Sequence, residues 1–154
     1  MEREEMRLTS LDEIIRFAIR KEADAAVFYH MAAKRSNPGV RNTFEELAVE
    51  EEGHKKKLEG FDLKKIDQME LKETKGLGMS EVMEDVPYSS DMSYADILRW
   101  AIKNEGKSER LYVSTANIVT EPSLEKLLLV LAQEESTHKE RLEKIYDNEI
   151  LKEF

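Results

Sequence analysis

Apolar residues recur along the chain at alternating steps of four and three, the spacing of one face of a helix packed against partners. Leu11, Ile15, Ala18, Ala25, Tyr29 and Ala32 make the first such stripe, and Val40, Phe44, Leu47, Leu58 and Phe61 the second. Leu98, Ala101, Tyr112 and Thr115 make the third, and Leu124, Leu128, Leu131, Leu142 and Ile145 the fourth. Local signals set the ends. Ser10-Leu-Asp-Glu13 reads as a capping box, and Ser93-Tyr-Ala-Asp96 caps the third helix in much the same way. Asn37-Pro38 and Glu121-Pro122 restart the chain with proline at the first helical position. The pattern predicts helices from about 11 to 34, from 38 to about 60, from 94 to the turn before Glu121, and from 122 to about 148. Residues 1–9 are expected to be frayed or loosely docked.

Between the second and third helices the pattern stops. Lys75-Gly-Leu-Gly78 and Val86-Pro-Tyr-Ser-Ser90 are breakers, with room for a short helical turn over 80–86. The other two connections are short. A connection over about 61–92 can therefore carry the chain from one end of a bundle to the other. The expectation is an all-α protein: one domain over 1–154, a four-helix bundle of two hairpins (about 10–60 and 93–148) joined by one long crossover, which is ferritin-like connectivity.

Each stripe is interrupted by polar residues where apolar ones are due: Glu22, Glu51 with His54, Glu105 with Ser108, and Glu135 with His138. A carboxylate left ionised in a low-dielectric core costs several kcal/mol unless something compensates it. The interruptions also repeat. Shifted by 83, Ile14-Ile-Arg-Phe-Ala-Ile-Arg-Lys-Glu22 lies over Ile97-Leu-Arg-Trp-Ala-Ile-Lys-Asn-Glu105, and Tyr29 over Tyr112. Shifted by 84, Pro38, Leu47, Glu51 and His54 lie over Pro122, Leu131, Glu135 and His138. A repeated hairpin gives a bundle with a pseudo-two-fold axis, and a site on that axis receives matching groups from each half. Glu and His three apart lie about a turn apart on one side of a helix, so both reach a cation on the bundle axis.

The candidate metal ligands are thus Glu22, Glu51, His54, Glu105, Glu135 and His138. Four carboxylates and two imidazoles suit two divalent ions, and oxygen-rich ligation with one nitrogen per ion points to iron or manganese before zinc or copper. Two such ions balance four carboxylates. Glu51 and Glu135 are the expected bridges, and Glu22 and Glu105 the expected terminal ligands. The plain alternative is a solvent-facing Glu/His pattern on Glu-rich helices, which is the expectation for the neighbours Glu50, Glu52 and Glu134. His30, beside the first stripe, is expected at the surface. Phe17 and Trp100, at equivalent positions, are expected in the core. Met69, Met79, Met83 and Met92 suit a hydrophobic cover or a dimer contact.

Composition narrows the classes. The chain has 154 residues, three prolines and six glycines, enough length for one core and few helix breakers. The formal net charge of −9 argues against a nucleic-acid partner. No apolar run is long enough for a bilayer, and the start shows no secretory signal, so the expected location is the cytoplasm. There is no cysteine, which excludes thiolate chemistry and Cys-ligated metal within these residues.

The order Glu, ExxH, Glu, ExxH resembles the ferritin-like di-iron carboxylate proteins. Arg20-Lys21-Glu22 with Tyr29, and Ala48-Val-Glu-Glu51-Glu-Gly-His54, are similar to the rubrerythrin branch. The resemblance covers nearly the whole chain and implies two iron ions (manganese or a mixed pair being possible), reduction of peroxide or dioxygen, and an external electron-donor protein. That donor replaces the rubredoxin-like centre for which this chain lacks cysteines. It further implies a homodimer, and the long crossover would permit hairpin exchange between subunits. Tyr29 and Tyr112 resemble tyrosines that hydrogen-bond ligands or carry oxidising equivalents in that family; the other reading is two core aromatics with a hydroxyl seeking a partner. The family's additional Glu, three residues after the third-helix ligand, falls on Ser108 here, with Glu109 adjacent as a substitute. Two other functions stay open: ferroxidation with iron storage or delivery, and a non-catalytic bundle stapled by metal.

Overall fold

The computed structural model describes residues 10–61, 71, 83, 87–89 and 91–151. Four long helices account for most of them: α1 (Leu11–Arg35), α2 (Pro38–Glu59), α3 (Tyr94–Ala116) and α4 (Pro122–Glu149). The chain has the ferritin-like four-helix architecture, with no strand among the described residues beyond an isolated antiparallel bridge between Leu71 and Val119.

The ends are set by the residues that signal them in the sequence. Ser10 Oγ accepts from Glu13 N at 3.2 Å and donates to Glu13 Oε1 at 3.1 Å. Ser93 Oγ accepts from Asp96 N at 3.1 Å, and Asn37 Oδ1 from Val40 N at 3.1 Å. Glu121 caps α4 by accepting from Leu124 N at 2.8 Å. Each satisfies an amide that helix geometry otherwise leaves without an acceptor.

The helices pack most closely within each hairpin, α1 on α2 and α3 on α4. Two apolar clusters fill the interior. One, at the start of α1, gathers Leu11, Ile14, Ala18, Leu58, Leu111, Leu124 and Leu131. The other gathers Ala25, Phe28, Phe44, Leu47, Ile97, Leu98 and Leu142. On every helix the polar interruption falls between a residue of one cluster and a residue of the other, so the polar layer crosses the middle of the bundle.

The last core residue of α2, Leu58, lies in the first cluster, whereas the opening residues of α3, Ile97 and Leu98, lie in the second. The α2–α3 connection therefore runs the length of the bundle. Its described residues trace that path. Leu71 and Met83 pack on the first cluster and Met92 on the second. Near α3, Pro87 O accepts from Trp100 Nε1 at 3.0 Å, and Tyr88 lies edge-on to Phe28 and Trp100. Met69, Met79 and all of the 80–86 turn except Met83 lie outside the described residues. Among the described residues no helix is long and apolar enough to cross a membrane.

Candidate metal centre

Glu22 on α1, Glu51 and His54 on α2, Glu105 on α3, and Glu135 and His138 on α4 are all buried, none more than 2% exposed. They meet in the layer between the two apolar clusters. Nδ1 of His54 lies 3.3 Å from Glu22 Oε2, 3.3 Å from Glu51 Oε1 and 3.0 Å from Glu135 Oε1. Nδ1 of His138 lies 3.2 Å from Glu51 Oε1, 3.5 Å from Glu105 Oε1 and 3.5 Å from Glu135 Oε1. The imidazole rings are parallel within 9°, with centroids 5.6 Å apart, an arrangement compatible with a pseudo-two-fold axis between them. Two overlapping groups result, Glu22/Glu51/His54/Glu135 and Glu51/Glu105/Glu135/His138, each offering atoms within 4.8 Å of one another. Glu51 and Glu135 belong to both.

These contacts do not satisfy one another. Of ten buried side-chain N and O atoms without a hydrogen-bond partner among the described residues, eight belong to this layer: Oε1 of Glu22 and Glu105, both oxygens of Glu51 and Glu135, and Nδ1 of both histidines. Native interiors leave few such atoms unpaired. The spacing explains them. Two ligands about 2.1 Å from one ion and at right angles sit about 3.0 Å apart, so atoms that face a common point at this distance are arranged for a cation. The donor set fits one, in composition and in placement.

Without a cation the layer holds protons. Burial pushes the Glu51 carboxyl well above the usual range, the charges of Glu105 and Glu22 add to it, and contacts with His54 and Glu135 only partly offset this. Glu135 is raised in the same way, by burial first and then by Glu105, Glu22 and Glu51. For His138 burial works downward, yet the contact with Glu105 and the surrounding carboxylates outweigh it and bring it to about 9. His54 moves the same way and further, against burial, through Glu135, Glu22 and Glu51.

Four further side chains hold the six in place. Tyr29 Oη donates to Glu105 Oε2 at 2.5 Å, and Tyr112 Oη to Glu22 Oε2 at 2.5 Å. Each tyrosine thus reaches across to the carboxylate of the other hairpin. Burial raises both phenols well above their ordinary value, followed for Tyr29 by the charge of Glu105 and for Tyr112 by that of Glu22. Both stay protonated and remain donors. The histidines are tied on their far side. His54 Nε2 lies 2.7 Å from Glu134 Oε1, and His138 Nε2 lies 3.3 Å from Glu50 Oε1. This corrects the expectation that Glu50 and Glu134 simply face water. Their side chains are 46% and 41% exposed, but each carboxylate turns inward onto a histidine of the facing helix. A signal for them did exist: both directly precede an ExxH glutamate, and they coincide in the repeat.

The rubrerythrin family profile matches residues 13–146. The chain belongs to the rubrerythrin family. It is also similar to a crystal structure from Thermotoga maritima, described as a candidate ferritin-like diiron-carboxylate protein, at 21% identity and a TM-score of 0.70. The match covers 92% of this chain and 96% of that one, and it bears on the fold. No curated protein gives a match to the sequence. Rubrerythrin-family membership and the Glu/His layer together support binding of a pair of metal ions.

Within this rubrerythrin-family chain the remaining sequence candidates fall as follows. Ser108 is buried beside the layer, and Glu109 is half-buried and joins neither group. His30 is half-exposed and pairs with Glu45 at 3.1 Å. Trp100 is buried and Phe17 packs at the edge of the first cluster.

Proposed function

We propose that the protein is a di-iron oxidoreductase that reduces peroxide or dioxygen with electrons from an external donor. The observation that carries this reading is the sharing of Glu51 and Glu135 between two groups whose inward atoms are buried and unpaired. In it Glu22, Glu51, His54 and Glu135 would hold one ion, and Glu51, Glu105, Glu135 and His138 would hold the other. Manganese or a mixed pair suits the same donors.

When bound, the ions supply the redox equivalents and a Lewis-acidic surface for an oxygen ligand. The chain's own residues do the rest. Tyr29 fixes Oε2 of Glu105 and leaves Oε1 toward His138 Nδ1, while Tyr112 fixes Oε2 of Glu22, the oxygen that also faces His54 Nδ1. Glu134 and Glu50 orient the imidazoles and favour the tautomer with the proton on Nε2, so that Nδ1 faces the centre with its lone pair. The apolar clusters on both sides exclude bulk water along the axis. Reduction of one H2O2 to two waters takes two electrons and two protons. With no cysteine in these residues to hold a Cys-ligated iron centre, the electrons come from a separate donor. The tyrosine hydroxyls are the buried O–H groups nearest the ligands and the candidates for proton or electron relay.

The test is anaerobic loading with ferrous ion, then addition of peroxide or dioxygen, followed by stopped-flow absorbance. Oxidation well faster than that of free iron, with turnover when a reductant is supplied, is expected. Oxidation no faster than free iron with either oxidant contradicts the reading.

A further inference from the structure

The two hairpins match closely in the metal layer but not just outside it. Glu50 and Glu134 are equivalent in the repeat, 84 residues apart, and each faces a histidine. Their surroundings differ. Arg141 donates to Glu50 Oε2 at 3.1 Å and to Glu46 Oε2 at 2.8 Å. The residues equivalent to Arg141 and Glu46 on the other side are Lys57 and Val130. Val130 carries no charge, and Lys57 is exposed with no ion pair to Glu134 among the described residues. The contacts follow the difference. Glu134, without a clamp, sits 2.7 Å from His54 Nε2, whereas Glu50, shared with Arg141, sits 3.3 Å from His138 Nε2.

A carboxylate that accepts the far N–H of a ligating imidazole makes the near nitrogen a stronger donor, and losing such a partner costs about 10–100-fold in metal affinity. An arginine on the same carboxylate competes for its charge and its orientation. We propose that the two metal positions are inequivalent: the one at His54 fills first, and Arg141, by holding Glu50, sets the difference. This rests on the di-metal reading above. Arg141 is a positioning residue in it. Its guanidinium makes its ion pairs with Glu46 and Glu50 and belongs to neither ligand group.

The experiment uses the metal-free full chain and Co(II), read by competition titration and by anomalous scattering from crystals given one equivalent. For the wild type, two binding steps about tenfold or more apart and higher occupancy beside His54 are expected. Arg141→Ala frees Glu50 and brings the second step toward the first, with occupancies drawing together. Moving the clamp to the other side with Lys57→Arg and Val130→Glu also narrows the gap, by weakening the first step. Because that pair adds contacts rather than removing one, it keeps a readout if Arg141→Ala does not fold. Equal occupancy in the wild type overturns the proposal and leaves the di-metal reading standing. So does an unequal occupancy that neither change alters. No cobalt between Glu51 and Glu135 overturns both.

Discussion

At the scale of single residues the decisive feature is that Glu51 and Glu135 belong to both ligand groups, which the proposed function reads as ligands shared by two ions. A ligand to one ion alone should cost one ion when removed; a shared ligand should cost both. Glu51→Ala and Glu135→Ala are expected to lower metal content from two ions per chain to near none, whereas Glu22→Ala should retain close to one, as read by elemental analysis after gel filtration. Retention of one ion or more by both bridge variants would contradict the shared assignment. Tyr29 and Tyr112 give a second check. Tyr29→Phe leaves Glu105 Oε2 buried and without its donor, a loss of about 1–3 kcal/mol. The metal-loaded protein should melt lower than wild type by thermal scan, and an unchanged melt would mean that the 2.5 Å contact contributes nothing. The six central residues were legible because each breaks an apolar stripe and recurs in the repeat. The crossing of tyrosines to the opposite hairpin was not. It depends on how the hairpins dock, and Tyr29 and Glu105 lie 76 residues apart in the chain.

At the scale of elements the helix limits follow from local chemistry, which is why they were readable. Ser10, Asn37 and Ser93 accept an amide from three residues on, and proline opens α2 and α4. Replacing Ser93 by alanine should destabilise α3 by about 1 kcal/mol, a fall of about 2–4 °C in Tm for a chain of this size, with metal stoichiometry unchanged. A larger fall accompanied by metal loss would show that α3 is held by its cap far more than by its packing. Glu50 and Glu134 show the limit of stripe logic. One step off the buried face, a residue is assigned to solvent, yet a side chain as long as Glu reaches round the helix to the neighbouring histidine. Arg141 is similar: its partners Glu46 and Glu50 lie on α2, about ninety residues earlier in the chain, too far for any local pattern to pair them.

At the scale of the whole molecule, a polar layer between two apolar clusters ties stability to what fills it. In the metal-free protein Glu51, Glu135, His54 and His138 all have folded values above their unfolded ones. Stability from their bound protons is complete below the unfolded values and is lost as pH rises through the folded ones, for His138 between 6.5 and about 9. The metal-free Tm should therefore fall from pH 6 to pH 9, and the metal-loaded Tm should not, because cations have taken the place of the protons. Parallel pH profiles for the two forms would contradict this. Saturation at one hundred times Kd adds about 2.7 kcal/mol per site, so the two forms should be well separated near neutral pH.

The most direct test of the central claim is a metal count with its location. Protein purified without added metal, then loaded with ferrous ion under anaerobic conditions, should hold two ions per chain, and anomalous scattering should place both between Glu51 and Glu135. Fewer than two ions at saturation, or ions bound only at the acidic surface while this layer retains its protons, would contradict the account.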